Sequence, residues 1–429
     1  MNEEFKLMNL KGTSDFLPEE QIIRNKITDT LRTTFEKYGF LPLETPMLCY
    51  YDLLASKYAG GAEILKEVYK FKDQGQRDVG LRYDLTVPFS KVIGMNKGLI
   101  LPFKRYEIGK VFRDGPVKLG RSREFYQCDV DACGTESPYA EIEYFMMTKE
   151  VFSKFDIDIE IRYNNRKFLS GLLEYCNVPK ENVGRFITLI DKLDKVERKD
   201  IEEELEECAS LNNIDKVFNY FNYSLEELTE SLKDSNIEIL NEGLKELNEL
   251  NKLIKDLNLD LCVFTPFLAR GLEIYTGCVW EIFDKTKKFT SALGGGGRYD
   301  NIITKFLHNG ENYPAVGMSF GLEPIYALLK DKESSSLKKY DVYVYAFTND
   351  KYLFEISSLL RENGYKVLTE LNNIKLKKAM NIANRENIDK VIIIGEDELK
   401  QNSVTLKDMI TGNQELVKID DLVSRVKEM

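Results

Sequence analysis

The stretch from residue 103 to residue 134 carries the densest group of side chains that could bind a charged, aromatic ligand. Two strand-like runs, FKRYEIGKVFRD and REFYQCDVDACG, are joined by a loop that contains Gly115, Pro116 and Gly120. Side chains along a strand alternate between its two faces. One face of the second run would therefore hold Arg123, Phe125, Gln127, Asp129 and Asp131. Such a face is poor core material, and it suits a ligand with phosphates, a flat base and a polar tail. A solvated sheet face with surface ion pairs is the alternative.

Three further stretches bring polar groups and glycines together. LRYDLTVPFSKV places Arg82, Asp84 and Thr86 at strand spacing just before Pro88, where an ordinary exposed strand end is the alternative. LARGLEIYTGCVWEIF puts Arg270 beside a glycine and next to an aromatic strand. ALGGGGRYDNII contains four consecutive glycines, and glycine lets a backbone approach a ligand closely. This run lacks the Lys-Ser/Thr ending of a phosphate loop, and a tight turn is its alternative.

The composition excludes several kinds of chemistry. The single histidine, His308, rules out His-based metal sites, Ser-His-Asp triads and HExxH chemistry. None of the seven cysteines forms a CxxC pair, which predicts reduced thiols in a cytoplasmic protein and no structural zinc. The net charge of −11 excludes a chain coated in positive charge, although local patches could still bind nucleic acid. We expect neither a signal peptide nor a membrane span, because no segment has the necessary apolar run.

The elements that must position these residues follow from the hydrophobic periodicity. Residues 20–38 have apolar side chains at helical spacing, and residues 67–134 have strand-like runs typical of an antiparallel sheet. The hydrophobic pattern is almost wholly helical from 166 to 255, and a strand-like pattern returns at residue 259. The helical block therefore interrupts one sheet domain, which predicts an inserted domain.

A length of 429 residues favours two or three domains. After the polar stretch at residues 331–340, the pattern alternates β-α-β-α-β and predicts a small α/β domain with a largely parallel sheet. The predicted organisation is a discontinuous core at 1–165 and 256–332, a helical insertion at 166–255, a linker at 333–339 and a C-terminal domain at 340–429.

These motifs together resemble the class II aminoacyl-tRNA synthetases and, within that class, the histidyl-tRNA synthetases. KVFRDGPVKLGRSREFYQ matches the second class motif, YGFLPLETP matches the first through Pro46, and VGMSFGLEPI corresponds to the third. ARGLEIYTG and LGGGGRYDN are histidine-specific signatures, LRYDLTVPF is a close match, and VIIIGEDELKQNSVTLKDMITGNQELV resembles the anticodon-binding domain of this group. The resemblance covers essentially the full chain. It implies an α+β fold with a class II antiparallel sheet core, flanking helices, a helical insertion domain and a C-terminal α/β anticodon-binding domain.

The resemblance also implies an activity, which is ATP-dependent activation of L-histidine and its transfer to tRNA(His). Arg113 would hold the α-phosphate of ATP and the histidine carboxylate, and Arg270 would be a second catalytic arginine at the α-phosphate. Arg121 and Arg123 would meet the outer phosphates, and Phe125 would stack on adenine. Mg²⁺ would accompany ATP, and the protein would be a homodimer. No metal-ligating residue is assigned.

The histidine pocket implied by the same resemblance draws on several elements. Asp84, Thr86 and Gln127 would fix the amino group of histidine, and Asp131 and Tyr275 would read its imidazole. The floor of the pocket would be Gly295, Gly296, Gly297 and Tyr299, with Arg113 and Arg270 also in contact with histidine.

Two residues depart from the family pattern. Ile274 stands where the family has the first of two tyrosines, which removes one aromatic contact to the substrate. Pro324 stands where the third motif has an arginine, so the usual work of that arginine on adenine and the γ-phosphate must be done elsewhere or not at all. Proline is acceptable in a first helical turn, so the fold should survive.

Two alternatives to a ligase remain open. One is a non-catalytic histidine-binding paralogue, such as a regulatory subunit of ATP phosphoribosyltransferase, and Pro324 favours it. The other is a synthetase-like RNA-binding module without ligase activity. The C-terminal domain and the arginines that remain at the ATP positions favour the ligase.

Overall fold

The computed structural model describes residues 7–56, 63–117, 121–193, 196–270, 274–307, 310–347 and 350–428. Three residues singled out from the sequence, Gly120, Gly271 and His308, lie outside the described residues. The chain divides into two compact units, Met1–Asp331 and Lys332–Met429.

The first unit contains both helices and strands. In chain order its elements are α1 (Pro18–Lys37), β1 (Leu41–Pro42), β2 (Leu48–Tyr50), α2 (Tyr51–Ser56), β3 (Lys70–Lys72), β4 (Asp78–Leu81), α3 (Thr86–Met95), β5 (Phe103–Phe112), β6 (Glu124–Cys133), α4 (Tyr139–Phe155), β7 (Ile159–Asn165), α5 (Arg166–Tyr175), α6 (Val183–Ile190), α7 (Glu202–Glu206), α8 (Leu211–Tyr220), α9 (Leu225–Ser231), α10 (Glu238–Asp256), β8 (Cys262–Phe264), β9 (Cys278–Asp284), β10 (Gly294–Arg298), α11 (Asp300–Leu307), β11 (Ala315–Gly321) and α12 (Leu322–Ser336), whose last residues belong to the second unit.

The elements of the second unit continue the numbering. They are β12 (Val342–Ala346), α13 (Asp350–Glu362), β13 (Val367–Thr369), α14 (Leu376–Arg385), β14 (Lys390–Ile394), α15 (Glu396–Lys400), β15 (Ser403–Asp408), β16 (Gln414–Lys418) and α16 (Leu422–Glu428). Short 3-10 helices lie at Glu63–Glu67, Lys180–Asn182, Arg198–Asp200 and Ile419–Asp421.

A large sheet forms the centre of the first unit. Within the described residues its strand order is β1-β5-β6-β11-β10-β9-β7-β8, and the pairs from β5 to β7 are all antiparallel. Helix α4 covers one face, where Trp280 is fully buried with its ring centroid 5.7 Å from that of Tyr144 and 5.4 Å from that of Phe145. The other face of β6, β10 and β11 is left for polar residues. The predicted α+β fold with an antiparallel core is confirmed.

The segment that follows β4 differs from its predicted strand. Strand β4 ends at Leu81, and Thr86 begins helix α3 instead of ending a strand. The Asp84 carboxylate accepts a hydrogen bond from the backbone N–H of Val87 at 3.1 Å, and Pro88 suits a first helical turn. An exposed strand end is also wrong, because Arg82 and Asp84 are buried.

Arg82 anchors this segment to the large sheet. Its Nη1 donates to Glu107 Oε1 at 2.7 Å and to the carbonyl oxygen of Thr45 at 2.7 Å, and its Nε donates to the carbonyl oxygen of Lys110 at 2.9 Å. A buried guanidinium is tolerated only when hydrogen bonds and an opposite charge compensate it in this way. The result is a fixed start for α3 above the sheet.

The C-terminal sheet has the order β13-β12-β14-β15-β16. The β12 pairings with β13 and β14 are parallel, as the β-α-β pattern predicts. The pairings from β14 to β16 are antiparallel, so the expectation of a largely parallel sheet is wrong for this half. The connection between β15 and β16 is too short for a crossover and forms a hairpin.

The thiols and the helices bear on two further expectations. All seven cysteines are unpaired, as expected for reduced thiols, and six are buried. Of the described helices, none combines the length and apolarity needed to cross a membrane.

Candidate active site

Two adjoining cavities lie over the polar face of the large sheet. The small cavity, of about 250 Å³, is lined by Tyr83, Asp84, Thr86, Arg113, Gln127, Asp129, Asp131, Arg270, Ile274, Tyr275, Gly295, Tyr299, Gly317, Met318 and Ser319. The large cavity, of about 570 Å³, is lined by Arg113, Arg121, Ser122, Phe125, Tyr126, Gln127, Arg270, Glu281, Ala292, Gly294, Gly295, Ser319, Phe320, Gly321, Leu322, Glu323 and Pro324. The residues common to both are Arg113, Gln127, Arg270, Gly295 and Ser319. Two arginines therefore stand at the junction of the cavities.

Arg113 is positioned by the β5–β6 hairpin. It follows the last residue of β5, and its backbone N–H donates to the carbonyl oxygen of Arg123 at 2.9 Å. Its Nε donates to the carbonyl oxygen of Tyr83 at 3.1 Å, and its guanidinium carbon lies 5.1 Å from the centroid of the Phe125 ring. The guanidinium is held between the segment before α3 and the aromatic ring of β6, with its charge at the junction.

The two other arginines of the hairpin, Arg121 and Arg123, have different surroundings. Arg121 lines the large cavity and forms an ion pair with Glu67. Arg123 lines neither cavity in the described structure: its Nη2 lies 3.2 Å from Asp114 Oδ1, and its backbone N–H donates to the carbonyl oxygen of Gly12 at 2.8 Å. In the described structure Arg123 therefore lies outside both cavity walls, and its role at the outer phosphates of ATP stays a prediction. Strand β6 begins at the next residue, Glu124.

Arg270 is the second arginine at the junction. Its Nη1 donates to the carbonyl oxygen of Trp280 at 3.2 Å, its Nε lies 3.9 Å from Glu281 Oε1, and its guanidinium carbon lies 5.4 Å from the Tyr275 ring centroid. A Cβ on Gly295 would come within 2.2 Å of Nη1. Glycine at 295 therefore leaves the space that the guanidinium occupies.

The glycine run is strand β10 and not a turn. A Cβ on Gly297 would lie 2.5 Å from the Tyr275 ring, so this glycine faces the same side as Gly295. A Cβ on Gly296 would instead lie 2.7 Å from the Trp280 ring, on the α4 side of the sheet. Successive residues of a strand face opposite sides, which accounts for this difference. Gly296 and Gly297 lie outside the lining of both cavities in the described structure, and their place in the floor of the pocket stays a prediction.

The groups predicted for a substrate amino group meet at one wall of the small cavity. Asp84 and Thr86 come from the start of α3, and Gln127 comes from β6. The Gln127 Oε1 is buried and has no hydrogen-bond partner within the described part of the chain. A buried acceptor without a partner costs free energy, which an N–H donor on a ligand would recover.

Asp131 is engaged by two buried neighbours. Its Oδ2 lies 2.7 Å from Arg105 Nη2, and its Oδ1 accepts a hydrogen bond from the Tyr299 hydroxyl. Arg105 Nη2 also donates to the carbonyl oxygen of Leu85 at 3.0 Å, which ties the pair to the start of α3. Burial, and then the charge of Asp131, raises the pKa of Tyr299 well above its ordinary value, so its hydroxyl stays a donor. Asp131 is thus partly committed to holding the pocket together.

Asp129 received no role from the sequence, and it lines the small cavity beside Asp131. It is buried, and its Oδ1 has no hydrogen-bond partner in the described ranges. Burial raises the pKa of Asp129, Arg105 opposes this rise and the charge of Asp131 adds to it. Its place on the face shared with Phe125 and Gln127 is the sequence signal that could have assigned it to the site.

Pro324 lines the large cavity in the first turn of α12, next to Glu323. Both carboxylate oxygens of Glu323 accept hydrogen bonds from Arg24 of α1, at 2.7 and 2.8 Å. No sequence pattern singled out Arg24, because it lies on the buried face of an amphipathic helix.

Comparisons with known proteins establish the family of the chain. The model of the histidyl-tRNA synthetase family matches residues 12–325, and that of the anticodon binding domain matches residues 341–429. The chain belongs to the histidyl-tRNA synthetase family. It is 48% identical over 421 residues to "Histidine--tRNA ligase 1" of Bacillus cereus, which covers 97% of this chain and 99% of that protein.

Two solved structures share the fold. One is histidyl-tRNA synthetase from Nostoc sp. PCC 7120, with a TM-score of 0.86, 27% identity and coverage of 99% of this chain and all of that chain (100%). The other is described as an ATP phosphoribosyltransferase regulatory subunit/histidyl-tRNA synthetase from Bacillus halodurans C, with a TM-score of 0.76, 20% identity and coverage of 92% and 100%. The second likeness concerns the fold alone.

Proposed function

We propose that this protein is a histidine–tRNA ligase, which activates L-histidine with ATP and transfers it to tRNA(His). The observation that carries the proposal is the junction of the two cavities, where Arg113 and Arg270 meet. A histidine-sized cavity on one side and a nucleotide-sized cavity on the other would bring two anionic groups together at these cations. The family and its relatives favour this function over the regulatory paralogue.

Histidine would occupy the small cavity. Asp84 and the unsatisfied oxygen of Gln127 are suited to its ammonium group, and Thr86 lies on the same wall. The imidazole would meet Tyr275 and the carboxylates of β6. Asp131 is already paired with Arg105 and Tyr299. We therefore add Asp129 to Asp131 as an acceptor for an N–H of the imidazole.

ATP would occupy the large cavity. Phe125 would stack on adenine, and Arg121 would pair with the outer phosphates after leaving Glu67. The histidine carboxylate would attack the α-phosphorus in line, the bond between the α-phosphorus and the bridging oxygen would break, and pyrophosphate would leave. The attacking carboxylate is already ionised at neutral pH, so the step needs no general base. Arg113 and Arg270 would neutralise the charge that gathers at the α-phosphate, which is the main source of catalysis in such transfers.

Mg²⁺ would arrive with ATP. Magnesium bound to ATP takes most of its ligands from phosphates and water and needs only one or two carboxylates. In the described ranges no group of three or more His, Cys, Asp or Glu side chains could hold a metal, so the chain has no dedicated cage there. Glu281 lines the large cavity beside Arg270 and fits the part of a single carboxylate ligand. The ion would screen the charge of the phosphates.

The remaining assignments concern domains and partners. The helical insertion at 166–255 would contact the tRNA acceptor arm, and the C-terminal domain at 340–429, after a linker at 333–339, would bind the anticodon. We expect a cytoplasmic homodimer.

A homodimer is supported by the surface around the first class motif. Leu41, Met47, Leu48 and Tyr50, which flank Pro46, are all exposed apolar side chains that a second copy would cover. Exposed apolar surface of this kind is typical of an interface.

The test is exchange of labelled pyrophosphate into ATP by the purified protein. Exchange that depends on histidine, together with charging of tRNA(His), is expected. A protein that binds histidine without exchange would favour the regulatory alternative, and one that binds tRNA without exchange would favour the RNA-binding module.

A further inference from the structure

Arg24 of α1 is a buried cation that the proposed mechanism does not use. Only 2% of its side chain is exposed, and it lies outside the lining of both cavities in the described structure. Its Nη1 and Nη2 donate to the two carboxylate oxygens of Glu323 at 2.7 and 2.8 Å. Bidentate pairs of this kind are the strong and geometrically specific form of an ion pair.

Aromatic rings hold the same guanidinium in place. Its central carbon lies 3.8 Å from the centroid of Phe16 and 5.9 Å from the centroids of Tyr126 and Tyr326. Tyr126 is itself part of the wall of the large cavity. Arg24 is therefore preorganised directly behind this wall, without entering the cavity.

Glu323 is the residue through which Arg24 acts on the cavity. It lines the large cavity next to Pro324, and 35% of its side chain is exposed. An uncompensated carboxylate at this position would repel a polyphosphate.

We propose that Arg24 is a positioning residue for ATP, which cancels the charge of Glu323 at the rim of the large cavity. It thereby provides, from helix α1, part of the positive charge that Pro324 does not supply. This inference rests on the proposed function, since it takes the large cavity as the ATP site. Arg24 does not contact ATP, and its effect passes through the carboxylate.

A cycle of Arg24→Met, Glu323→Gln and the double variant tests the proposal, with the KM for ATP in histidine-dependent pyrophosphate exchange as the readout. Arg24→Met should raise this KM about tenfold, because the carboxylate of Glu323 would then repel the phosphates without a compensating charge, in a partly exposed position that weakens the repulsion. Glu323→Gln should lower it, and the double variant should return close to wild type because the repelling charge is gone. The KM for histidine should not change in any of the three.

Two controls separate charge from folding. Arg32→Met removes an arginine of the same helix from its exposed pair with Asp29 and should leave the KM for ATP unchanged. Thermal melting monitors folding. If Arg24→Met does not fold, two other variants test the proposal. Arg24→Lys keeps the charge and loses one hydrogen bond, so its KM for ATP should stay within about threefold of the wild type. Glu323→Gln should still lower the KM for ATP.

The proposal is overturned by a folded Arg24→Met with an unchanged KM for ATP. An equal rise in Arg24→Met and in the double variant also overturns it, because the effect would then not pass through Glu323. If Arg24→Met does not fold, the proposal is overturned when Glu323→Gln has a higher KM for ATP than the wild type. Absence of exchange in the wild type would refute the proposed function itself, which is a distinct result.

Discussion

Replacing Arg270 with alanine isolates the charge at the junction of the two cavities. The guanidinium is fixed in advance by the Trp280 carbonyl oxygen at 3.2 Å and by the Tyr275 ring at 5.4 Å, so little ordering is needed when substrates bind. Removing one preorganised donor from a developing charge slows reactions by roughly 10²–10³-fold, and a transition-state arginine can contribute more. We expect adenylate formation to slow by about 10³-fold, which is about 4 kcal/mol of activation free energy.

Binding of histidine and folding should change far less. In the proposed arrangement Arg270 would face the α-phosphate, and other residues would hold the ammonium and imidazole groups of histidine. Its ion pair with Glu281 is long, at 3.9 Å, and both side chains are partly exposed, so its loss should cost at most about 1 kcal/mol of stability.

The assay is single-turnover formation of the adenylate, with histidine affinity measured separately. Arg162→Ala is the matched control, because Arg162 also lies over an aromatic ring, 4.5 Å from the centroid of Phe283, and lines neither cavity in the described residues. Its rate should equal that of the wild type. Equal losses of histidine affinity and rate in Arg270→Ala would refute the assignment of this arginine to the transition state.

The remaining predictions concern the domains, the carboxylates and the third motif. Removing residues 333–429 should leave pyrophosphate exchange measurable while tRNA charging falls; a folded truncated chain without exchange would contradict this division. Asp131→Ala should mainly destabilise the fold, by about 2–3 kcal/mol in urea unfolding, because it removes the 2.7 Å partner of Arg105 and leaves this buried guanidinium only the more distant Glu107, at 4.0 Å, as an ion-pair neighbour. Asp129→Asn should instead raise the KM for histidine. Since burial raises the pKa of Asp129 above its ordinary range near pH 4, the wild-type KM should still fall as pH rises toward neutrality, and the variant should keep only the pH dependence that the imidazole of the substrate itself causes. Pro324→Arg should improve ATP affinity by about 1 kcal/mol or less, as measured by the KM for ATP in exchange, and an inactive wild type rescued by this arginine would favour the regulatory alternative.

The hairpin of β5 and β6 shows which features of the site the alternation of residues along a strand can predict. Alternation along REFYQCDVDACG predicts one face with Phe125, Gln127, Asp129 and Asp131, and all four line the cavities. Alternation does not show where a strand begins: Arg123 precedes Glu124, the first residue of β6, and lines neither cavity in the described residues. The same limit explains Thr86, whose helix is started by the Asp84 carboxylate and not by any apolar periodicity.

The glycine run shows a different limit. Four identical residues carry no side-chain pattern, so the sequence could not tell a strand from a turn or assign faces. Pairing of β10 with β9 and β11 decides both, and it puts Gly295 against Arg270 and Gly296 against Trp280.

The sequence by itself determined the family, the α+β class and most of the arginines and carboxylates that line the two cavities, because motif spacing and strand period are properties of neighbouring residues. Only the tertiary structure decided which carboxylate is committed and which is available. Arg105 and Tyr299 reach Asp131 from β5 and from the end of β10, and Arg24 reaches Glu323 from a helix 299 positions earlier in the chain. Charge pairing at such separations depends on how the elements pack, and no local pattern records it.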